Sequence, residues 1–200
     1  MEVYIQDSDI PSDYHGDELH SLYNYQQTGI RGDSIFAFVG KMNVKTDHMV
    51  DMEDVLENDF IWSPKAINFI IEIFHINIET AILYQRSFMQ ICTQVIKDML
   101  MEANTVAFIV KLKGDDILVR HLDSQDWKKL SVSIATVSHV SGLIHAGINI
   151  DTDINIPVPA AGLDNLFVGD GIDEFILRVC SGFKEFVESV KFASVKVKGV

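Results

Sequence analysis

Residues 114–150 read GDDILVRHLDSQDWKKLSVSIATVSHVSGLIHAGINI. Three runs rich in Ile, Val and Leu are separated by turn residues, a pattern that predicts three short β-strands. The Gly-Asp-Asp sequence at residue 114 suits a tight connection, because Gly and Asp tolerate unusual backbone angles. Polar side chains lie near the ends of the runs, and we expect them around one surface of a sheet. They are Asp115, Asp116, Lys129, His145 and Asn149.

The segments on either side of this stretch have helical periodicity. Apolar residues recur at three- and four-residue steps in residues 78–101, and again in residues 175–190. Residues 106–112 form a further strand-like run. Neighbouring strands without intervening helices favour antiparallel pairing. The sequence therefore predicts an α+β fold with a mostly antiparallel central sheet flanked by helices, and a single domain over residues 1–200.

The N-terminal third of the chain has weaker patterns. Residues 3–5 and 35–39 are predicted as strands, the second because of its apolar content and its flanking glycines. Apolar spacing predicts a helix over residues 17–27 that ends at Gly29. Residues 67–73 are dense in β-branched and aromatic side chains, a pattern that fits a buried strand and a buried helix equally well.

The charge of the chain excludes some classes of partner. It contains 16 Lys and Arg against 29 Asp and Glu, a formal net charge of −13. Such a chain repels phosphate backbones and anionic membranes, so we expect no nucleic-acid partner and no membrane partner. The apolar runs are shorter than the ~20 residues that cross a bilayer, and the N-terminus lacks the apolar core of a signal peptide. We therefore expect a cytoplasmic protein, and the sequence leaves open whether it is a homo-oligomer.

Lys129 and its neighbours in the quoted stretch are the first candidates for a site. A lysine at a strand end either binds an anionic ligand or protects a sheet edge. Side chains alternate along a strand, so only one of Lys128 and Lys129 is expected to face a site. Asp116 offers oxygen ligands to Mg²⁺ or to an amine, or else serves the turn alone. His145 lies on an apolar strand, where it is either a ligand contact or a hydrogen-bonded core group.

The acidic segment at residues 47–59 contains a second candidate site. On a helix, His48 and Asp51 share one face, and Asp54 extends that face by three more residues. A histidine and two carboxylates at this spacing can hold a divalent metal ion that activates water. The alternative is an acidic helix start, where carboxylates favour the positive end of the helix dipole. The sequence favours the helix start, because the segment contains a single histidine.

The quoted stretch resembles the second half of the biotin and lipoate protein ligase fold. Residues 115–117 resemble an Asn-Asp-Leu element of biotin ligases, residues 129–134 a Lys-Leu-x-Gly-Ile element, and residues 145–150 a Gly-Ile-Asn element. In lipoate ligases and octanoyltransferases the third element often contains a histidine, which His145 matches. The resemblance implies a class II synthetase-like core in which Lys129 holds the carboxyl or phosphoryl oxygens of an acyl group during transfer.

The ligase-like site has candidate residues both inside and outside residues 114–150. Arg86, within an apolar helical pattern, either pairs with a carboxylate or binds an anionic group of the ligand. Asn149 either fixes a loop through its amide or contacts the ligand. The candidate catalytic residues are Lys129, Asp116 and His145, and the candidate substrate contacts are Arg86, Asn149 and Ser133.

Most of the chain is also similar to an uncharacterised, largely archaeal family called domain of unknown function 366. The similarity is carried by residues 32–34, 48–54, 85–86 and 129–136. It implies a fold relationship and no established activity.

Two departures from the ligase pattern bear on the reaction. Ligases have an arginine- and glycine-rich loop, or a Gly-Gly-Gly run, that encloses the acyl chain and the phosphates, whereas residues 40–75 contain an acidic stretch instead. Octanoyltransferases have a nucleophilic cysteine after the third strand, whereas residues 156–163 contain none. ATP and Mg²⁺ stay open as cofactors, without a glycine loop to bind the phosphates.

Three functions are consistent with the sequence. The leading hypothesis is a protein with a ligase-like core that binds a small carboxylate or acyl ligand, with acyl or nucleotidyl transfer as the reaction if it is an enzyme. The first alternative is a non-catalytic binding or interaction protein derived from that fold, which the missing loop and cysteine favour. The second alternative is a metal-dependent hydrolase centred on His48, Asp51 and Asp54.

Overall fold

Strands and helices alternate irregularly along the chain in the computed structural model, which describes residues 1–7, 10, 12–153, 155–156, 158–167 and 171–199. The strands are β1 (Glu2–Ile5), β2 (Ser34–Val44), β3 (Ile61–Phe74), β4 (Phe108–Lys113), β5 (Asp116–His121), β6 (Lys128–Lys129), β7 (Ser131–Val137) and β8 (Ser141–Asp151). The α-helices are α1 (Tyr23–Thr28), α2 (Met52–Glu57), α3 (Ile78–Glu102) and α4 (Gly171–Lys196). Among the described residues, no helix combines the length and the apolar character that a membrane span requires.

The strands form a large sheet and a small sheet. The large sheet has the order β1-β2-β3-β8-β7, in which β1 pairs with β2 in parallel and the other pairs are antiparallel. The small sheet has the order β4-β5-β6. With α3 and α4 packed beside them, this is the α+β fold with a mostly antiparallel, helix-flanked sheet that the sequence predicts.

The stretch at residues 114–150 contributes to both sheets rather than to one. Lys129 ends β6 in the small sheet, Leu130 is fully buried, and Ser131 begins β7 in the large sheet. The strands of this stretch are therefore divided between two sheets. The physical reason is that β7 pairs with β8, whereas β6 pairs with β5, so a one-residue break divides a continuous apolar run between two layers.

One face of the large sheet is closed by the two long helices. Phe69 of β3, Phe88 of α3 and Phe183 of α4 are fully buried there. The ring of Phe88 meets the other two edge to face, with centroids 5.1 Å apart in both contacts. Such contacts contribute ~0.5–1.5 kcal/mol each beyond the area that they bury. This side of the sheet is a solid core.

The opposite face is covered by the segment that precedes β2. Tyr14 from this segment packs with apolar side chains of β2 and β3 in a second, smaller core cluster. The backbone of the segment comes very close to the sheet at Gly40, where an added Cβ would lie 1.5 Å from the carbonyl oxygen of Ser12. Glycine at this position therefore allows the covering segment to lie against the sheet.

Two sequence expectations in this region are resolved by the structure. The ambiguous residues 67–73 belong to strand β3. The helix expected over residues 17–27 is wrong for its first half, because α1 begins only at Tyr23. Leu22 has a left-handed backbone with φ of 66°, and its N–H donates to Oε1 of the buried Glu72 at 2.9 Å. A long-range hydrogen bond thus overrides the local helical pattern.

Candidate ligand-binding site

A cavity of about 300 Å³ lies on the face of the large sheet that the long helices leave uncovered. Small-molecule sites typically measure ~300–1,000 Å³, so the cavity is at the lower end of this range. His145 and Asn149 of β8 line it, whereas Ile144, Ala146 and Ile148 belong to the core on the helix side. This is the alternation that a strand imposes on successive side chains. One strand therefore supplies both the core and the floor of the cavity.

Lys129 extends into the cavity from the junction of the two sheets. Its Nζ lies 2.9 Å from Oδ1 of Asp116, and about a third of each side chain is exposed. The Lys129 N–H donates to the Pro159 carbonyl at 2.8 Å, and the Lys129 carbonyl accepts from the Ala161 N–H at 3.0 Å. Backbone contacts on both sides therefore fix the base of the lysine. Lys128 is exposed and does not line the cavity, in agreement with strand alternation.

Asp115 anchors the turn that carries Asp116. Its carboxylate accepts hydrogen bonds from Gln85 Nε2 at 3.1 Å, from Ser133 Oγ at 3.2 Å and from the Arg86 guanidinium at 2.9 Å. The charge of Asp115 is therefore neutralised by Arg86, and its acceptor positions are occupied by α3 and β7. A carboxylate in this state is a structural anchor that holds the β4–β5 turn against the large sheet.

His145 is a buried, neutral imidazole in the floor of the cavity. It is 1% exposed, and its Nε2 lies 3.0 Å from Oδ1 of Asn68. Burial lowers the pKa of His145 from 6.5 to about 3, because the charged imidazolium is poorly solvated there. When Nε2–H donates to the Asn68 carbonyl oxygen, Nδ1 keeps its lone pair. Among the described residues, Nδ1 has no hydrogen-bond partner, so it is an acceptor available to the cavity.

Tyr14 lies flat on His145 and also lines the cavity. The two rings are stacked with centroids 3.6 Å apart and an interplanar angle of 11°. Burial raises the pKa of the Tyr14 hydroxyl, and the nearby carboxylates of Glu18 and Asp17 raise it further. The hydroxyl therefore stays protonated and can donate a hydrogen bond. The stacked pair forms a flat, largely apolar base for a bound molecule.

The wall opposite Lys129 is acidic. Asp51, Asp54 and Asp59 line the cavity from α2 and its flanking residues. Burial raises the pKa of Asp54, the carboxylates of Asp51 and Asp59 raise it further, and the Lys129 ammonium opposes them. The lysine therefore acts electrostatically on both walls: on Asp116 by direct contact and on Asp54 across the cavity.

His48, Asp51 and Asp54 do not share a helix face as the metal-site hypothesis requires; the structure has the acidic helix start that the sequence favours, with Asp51 as the N-cap and Asp54 in the first turn of α2. His48 ends a 3₁₀ helix at Thr46–His48, and Asp51 precedes α2 as its N-cap, where its side chain accepts the Glu53 N–H at 2.9 Å. The intervening backbone is extended at Met49, so no helix joins them. His48 Nδ1 lies 2.5 Å from Asp17 Oδ1. Within the described residues, no three His, Cys, Asp or Glu side chains are grouped so as to hold a metal ion.

The candidate residues from both sequence hypotheses line the same cavity, with one exception. The lining residues among them are Lys129, Asp116, His145, Asn149, Ser133, His48, Asp51 and Asp54. Arg86 does not line the cavity, because its guanidinium is bound to Asp115. The residues of the site that were not predicted include Tyr14, which stands in an irregular segment. Gln85 was also not predicted, and it holds Asp115 and Ser133 from behind the lining. A signal for Gln85 does exist, since it is an amide within the apolar stripe of α3.

Solved ligase structures have the fold described above. A bipartite lipoate protein ligase from Thermoplasma acidophilum superposes with a TM-score of 0.53 at 14% identity, covering 94% of this chain and 83% of that one. A biotin protein ligase from Aquifex aeolicus in complex with biotin has a TM-score of 0.54 at 12% identity, covering 94% and 70%. At this level of identity the likeness concerns the fold alone. The chain is thus an α+β protein of the biotin and lipoate ligase fold, as predicted.

Within this fold, the chain belongs to the family Domain of unknown function (DUF366), whose model matches residues 1–198. An uncharacterised protein of Methanocaldococcus jannaschii is 32% identical over 186 residues, which cover 90% of this chain and 77% of the relative. A solved protein of unknown function from Pyrococcus horikoshi has a TM-score of 0.81 at 33% identity, covering 99% and 98%. These matches confirm the family that the sequence indicates.

Proposed function

We propose that this protein binds a small carboxylate-bearing or acyl ligand in the cavity, with the Lys129 ammonium at the anionic end of the ligand. The position of Lys129 carries the proposal. Its backbone is fixed by the Pro159–Ala161 segment, and its side chain is a partly exposed cation in the lining of the cavity. A compact ammonium in such a site binds oxyanions and stabilises developing negative charge.

The remaining lining suits the body of such a ligand. Met42, Val132 and the stacked Tyr14 provide apolar surface beside the floor of the cavity. The Aquifex aeolicus biotin ligase binds biotin, which is a small carboxylate with an apolar body. A ligand of this class would place its chain on the sheet and its carboxylate at the junction of the two sheets.

Acyl or nucleotidyl transfer is the reaction class that we propose if the protein is an enzyme. Lys129 would hold the oxygens whose charge grows in the transition state. Residues 159–161 run beside Lys129, and the sequence from 156 to 163 contains no cysteine to form an acyl intermediate. Transfer would therefore proceed directly from an activated ligand to an acceptor.

The second candidate is a non-catalytic binding protein with the same cavity. It is favoured by the four carboxylates of Asp51, Asp54, Asp59 and Asp116 around Lys129, where ligases would enclose phosphates. Repulsion between these carboxylates and the phosphates disfavours a nucleoside triphosphate in such a cavity unless a cation accompanies it. In this case the protein would bind the acyl ligand without activating it.

Thermal denaturation with a ligand panel tests the proposal. The panel contains octanoate, 2-aminooctanoate, lipoate, biotin and ATP with Mg²⁺, applied to the wild type, to Lys129→Ala and to the matched control Lys128→Ala. A ligand at about 100 times its Kd adds ~2.7 kcal/mol to native-state stability. We expect a carboxylate to raise the melting temperature of wild type and Lys128→Ala but not of Lys129→Ala. Unchanged melting temperatures with every ligand would refute the proposed function.

A second measurement separates the two candidates. Exchange of labelled pyrophosphate into ATP, measured with the stabilising carboxylate present, reports reversible nucleotidyl transfer to that carboxylate. Exchange that depends on Lys129 supports the enzyme. Binding without exchange excludes nucleotidyl transfer to that carboxylate, and it supports the non-catalytic protein when no acyl group is transferred from a preactivated donor either.

A further inference from the structure

The cavity has more negative than positive charge in its lining. Asp115 is neutralised by Arg86, and Lys129 is paired with Asp116. The carboxylates that line the cavity without an ion-pair partner among the described residues are those of Asp51, Asp54 and Asp59. A ligand that adds only a carboxylate would increase this excess of negative charge.

The excess of negative charge in the lining acts on one cation, the ammonium group of Lys129. Its ammonium is in direct contact with Asp116, and its charge lowers the pKa of Asp54 against the other influences on that group. A simple carboxylate that takes Lys129 from Asp116 would leave Asp116 without its cation. A ligand that brings its own cation next to its carboxylate exchanges one ion pair for two, because Lys129 and Asp116 each gain a partner and the net charge of the lining does not change.

The polar atoms of the cavity floor give an independent indication. His145 is 99% buried, neutral, and lines the cavity with an Nδ1 that has no hydrogen-bond partner in the described part of the chain. Together with the carboxylates, it makes the lining rich in acceptors, so that a complementary ligand supplies N–H donors.

We infer that the ligand is an α-amino acid-type zwitterion, an inference that rests on the proposed function. Its carboxylate binds Lys129, its ammonium group binds Asp116 and faces Asp54, and its apolar side chain lies on the Tyr14–His145 stack. The contact between Lys129 and Asp116 specifies adjacent charges, because the cationic and anionic groups of the site are 2.9 Å apart. An ω-amino acid of the same chain length separates its charges too widely for this pair.

Calorimetric titration with matched ligands tests the inference. The ligands are 2-aminooctanoate, octanoate, which lacks the ammonium, 8-aminooctanoate, in which the ammonium is remote, and heptylamine, which lacks the carboxylate. We expect 2-aminooctanoate to bind at least about tenfold more tightly than the other three. Asp116→Asn should remove the preference over octanoate, and Lys129→Ala the preference over heptylamine. Asp54→Asn on α2 makes the same test if Asp116→Asn fails to fold. Asp123→Asn, exposed in the turn after β5, is the matched control.

The other outcomes separate this inference from the proposed function. If octanoate binds as tightly as 2-aminooctanoate and depends on Lys129, the zwitterion is refuted while the proposed function stands. Binding of octanoate that requires Mg²⁺ also refutes it, since a metal ion then supplies the positive charge. If none of the four ligands nor any carboxylate of the wider panel binds, the proposed function fails together with the inference.

Discussion

The neutral state of His145 predicts a specific loss of stability in acid. The imidazole is buried, and its pKa falls from 6.5 to about 3 in the folded protein. Between these two values the unfolded chain binds a proton at this position and the folded chain does not. The contribution of His145 is therefore complete above pH 6.5 and is lost as the pH falls toward the folded pKa.

The size of the loss follows from the pKa difference. Each pH unit below 6.5 costs ~1.4 kcal/mol of unfolding free energy while the folded protein stays unprotonated. A change from pH 7.5 to pH 4.5 should therefore cost ~2.7 kcal/mol through His145 alone. That is a large part of the ~5–15 kcal/mol stability of a typical domain.

Urea denaturation at several pH values between 7.5 and 4.5 measures this contribution. The comparison is between the wild type and His145→Gln, which does not titrate. The variant loses the stack on Tyr14 and should be less stable at pH 7.5, by ~1–3 kcal/mol. Toward pH 4.5 the gap should narrow by ~2.7 kcal/mol, because only the wild type pays the protonation cost.

A second histidine provides the control. His139 is exposed in the turn between β7 and β8, so His139→Gln should keep a constant difference from the wild type. Parallel pH profiles of wild type and His145→Gln would contradict the reasoning, since they would mean that the folded protein protonates His145 above pH 4.5.

Three further substitutions test the packing around the site. Phe88→Ala is expected to cost ~3–5 kcal/mol of unfolding free energy, because the ring is fully buried. Leu83→Ala, on the exposed side of the same helix, should change the unfolding free energy by less than ~0.5 kcal/mol. Equal urea midpoints for the two variants would disprove the assignment of buried and exposed helix faces. Asp115→Ala is expected to lower the unfolding free energy by ~1–3 kcal/mol and to weaken ligand binding, because three hydrogen-bond donors lose their acceptor. Unchanged ligand affinity in calorimetry would show that the turn at Asp115 does not support the binding site. Gly40→Ala is expected to lower the unfolding free energy by ~1–3 kcal/mol, since the added Cβ would overlap the Ser12 carbonyl oxygen. A melting temperature equal to that of the wild type would exclude the close approach of the two segments.

Long helices and strands were predictable from the sequence because their buried side chains recur at regular intervals along the chain. The helix expected over residues 78–101 is Ile78–Glu102, and the strand expected over residues 143–150 lies within Ser141–Asp151. In both cases many apolar residues recur with the period of the element, so a single exception does not obscure the pattern. Of the polar residues along residues 115–149, Asp116 and Lys129 lie at strand ends as expected, whereas His145 lies in the middle of β8.

Features that depend on distant partners were not predictable. Leu22 has the spacing of a helical residue, but Glu72 binds its N–H and helps to hold a left-handed turn there. Tyr14 has no periodic neighbours, and its role depends on contact with His145 far along the chain. The sequence also does not reveal that Arg86 is bound to Asp115, because any of the many acids is a plausible partner.

The ladder between β3 and β8 has a consequence for how the chain folds. It joins Lys65 to Asp151 at one end and Phe74 to Ser141 at the other, so α3 and the whole small sheet lie within the loop that it closes. Contacts so distant in sequence form late and slowly, whereas the β4–β5 hairpin needs only local closure. We expect Ile70→Val in the ladder to speed unfolding with little effect on the folding rate, and Val119→Ala in the hairpin to slow folding, in stopped-flow kinetics. The base of the cavity would then be among the last parts of the protein to assemble.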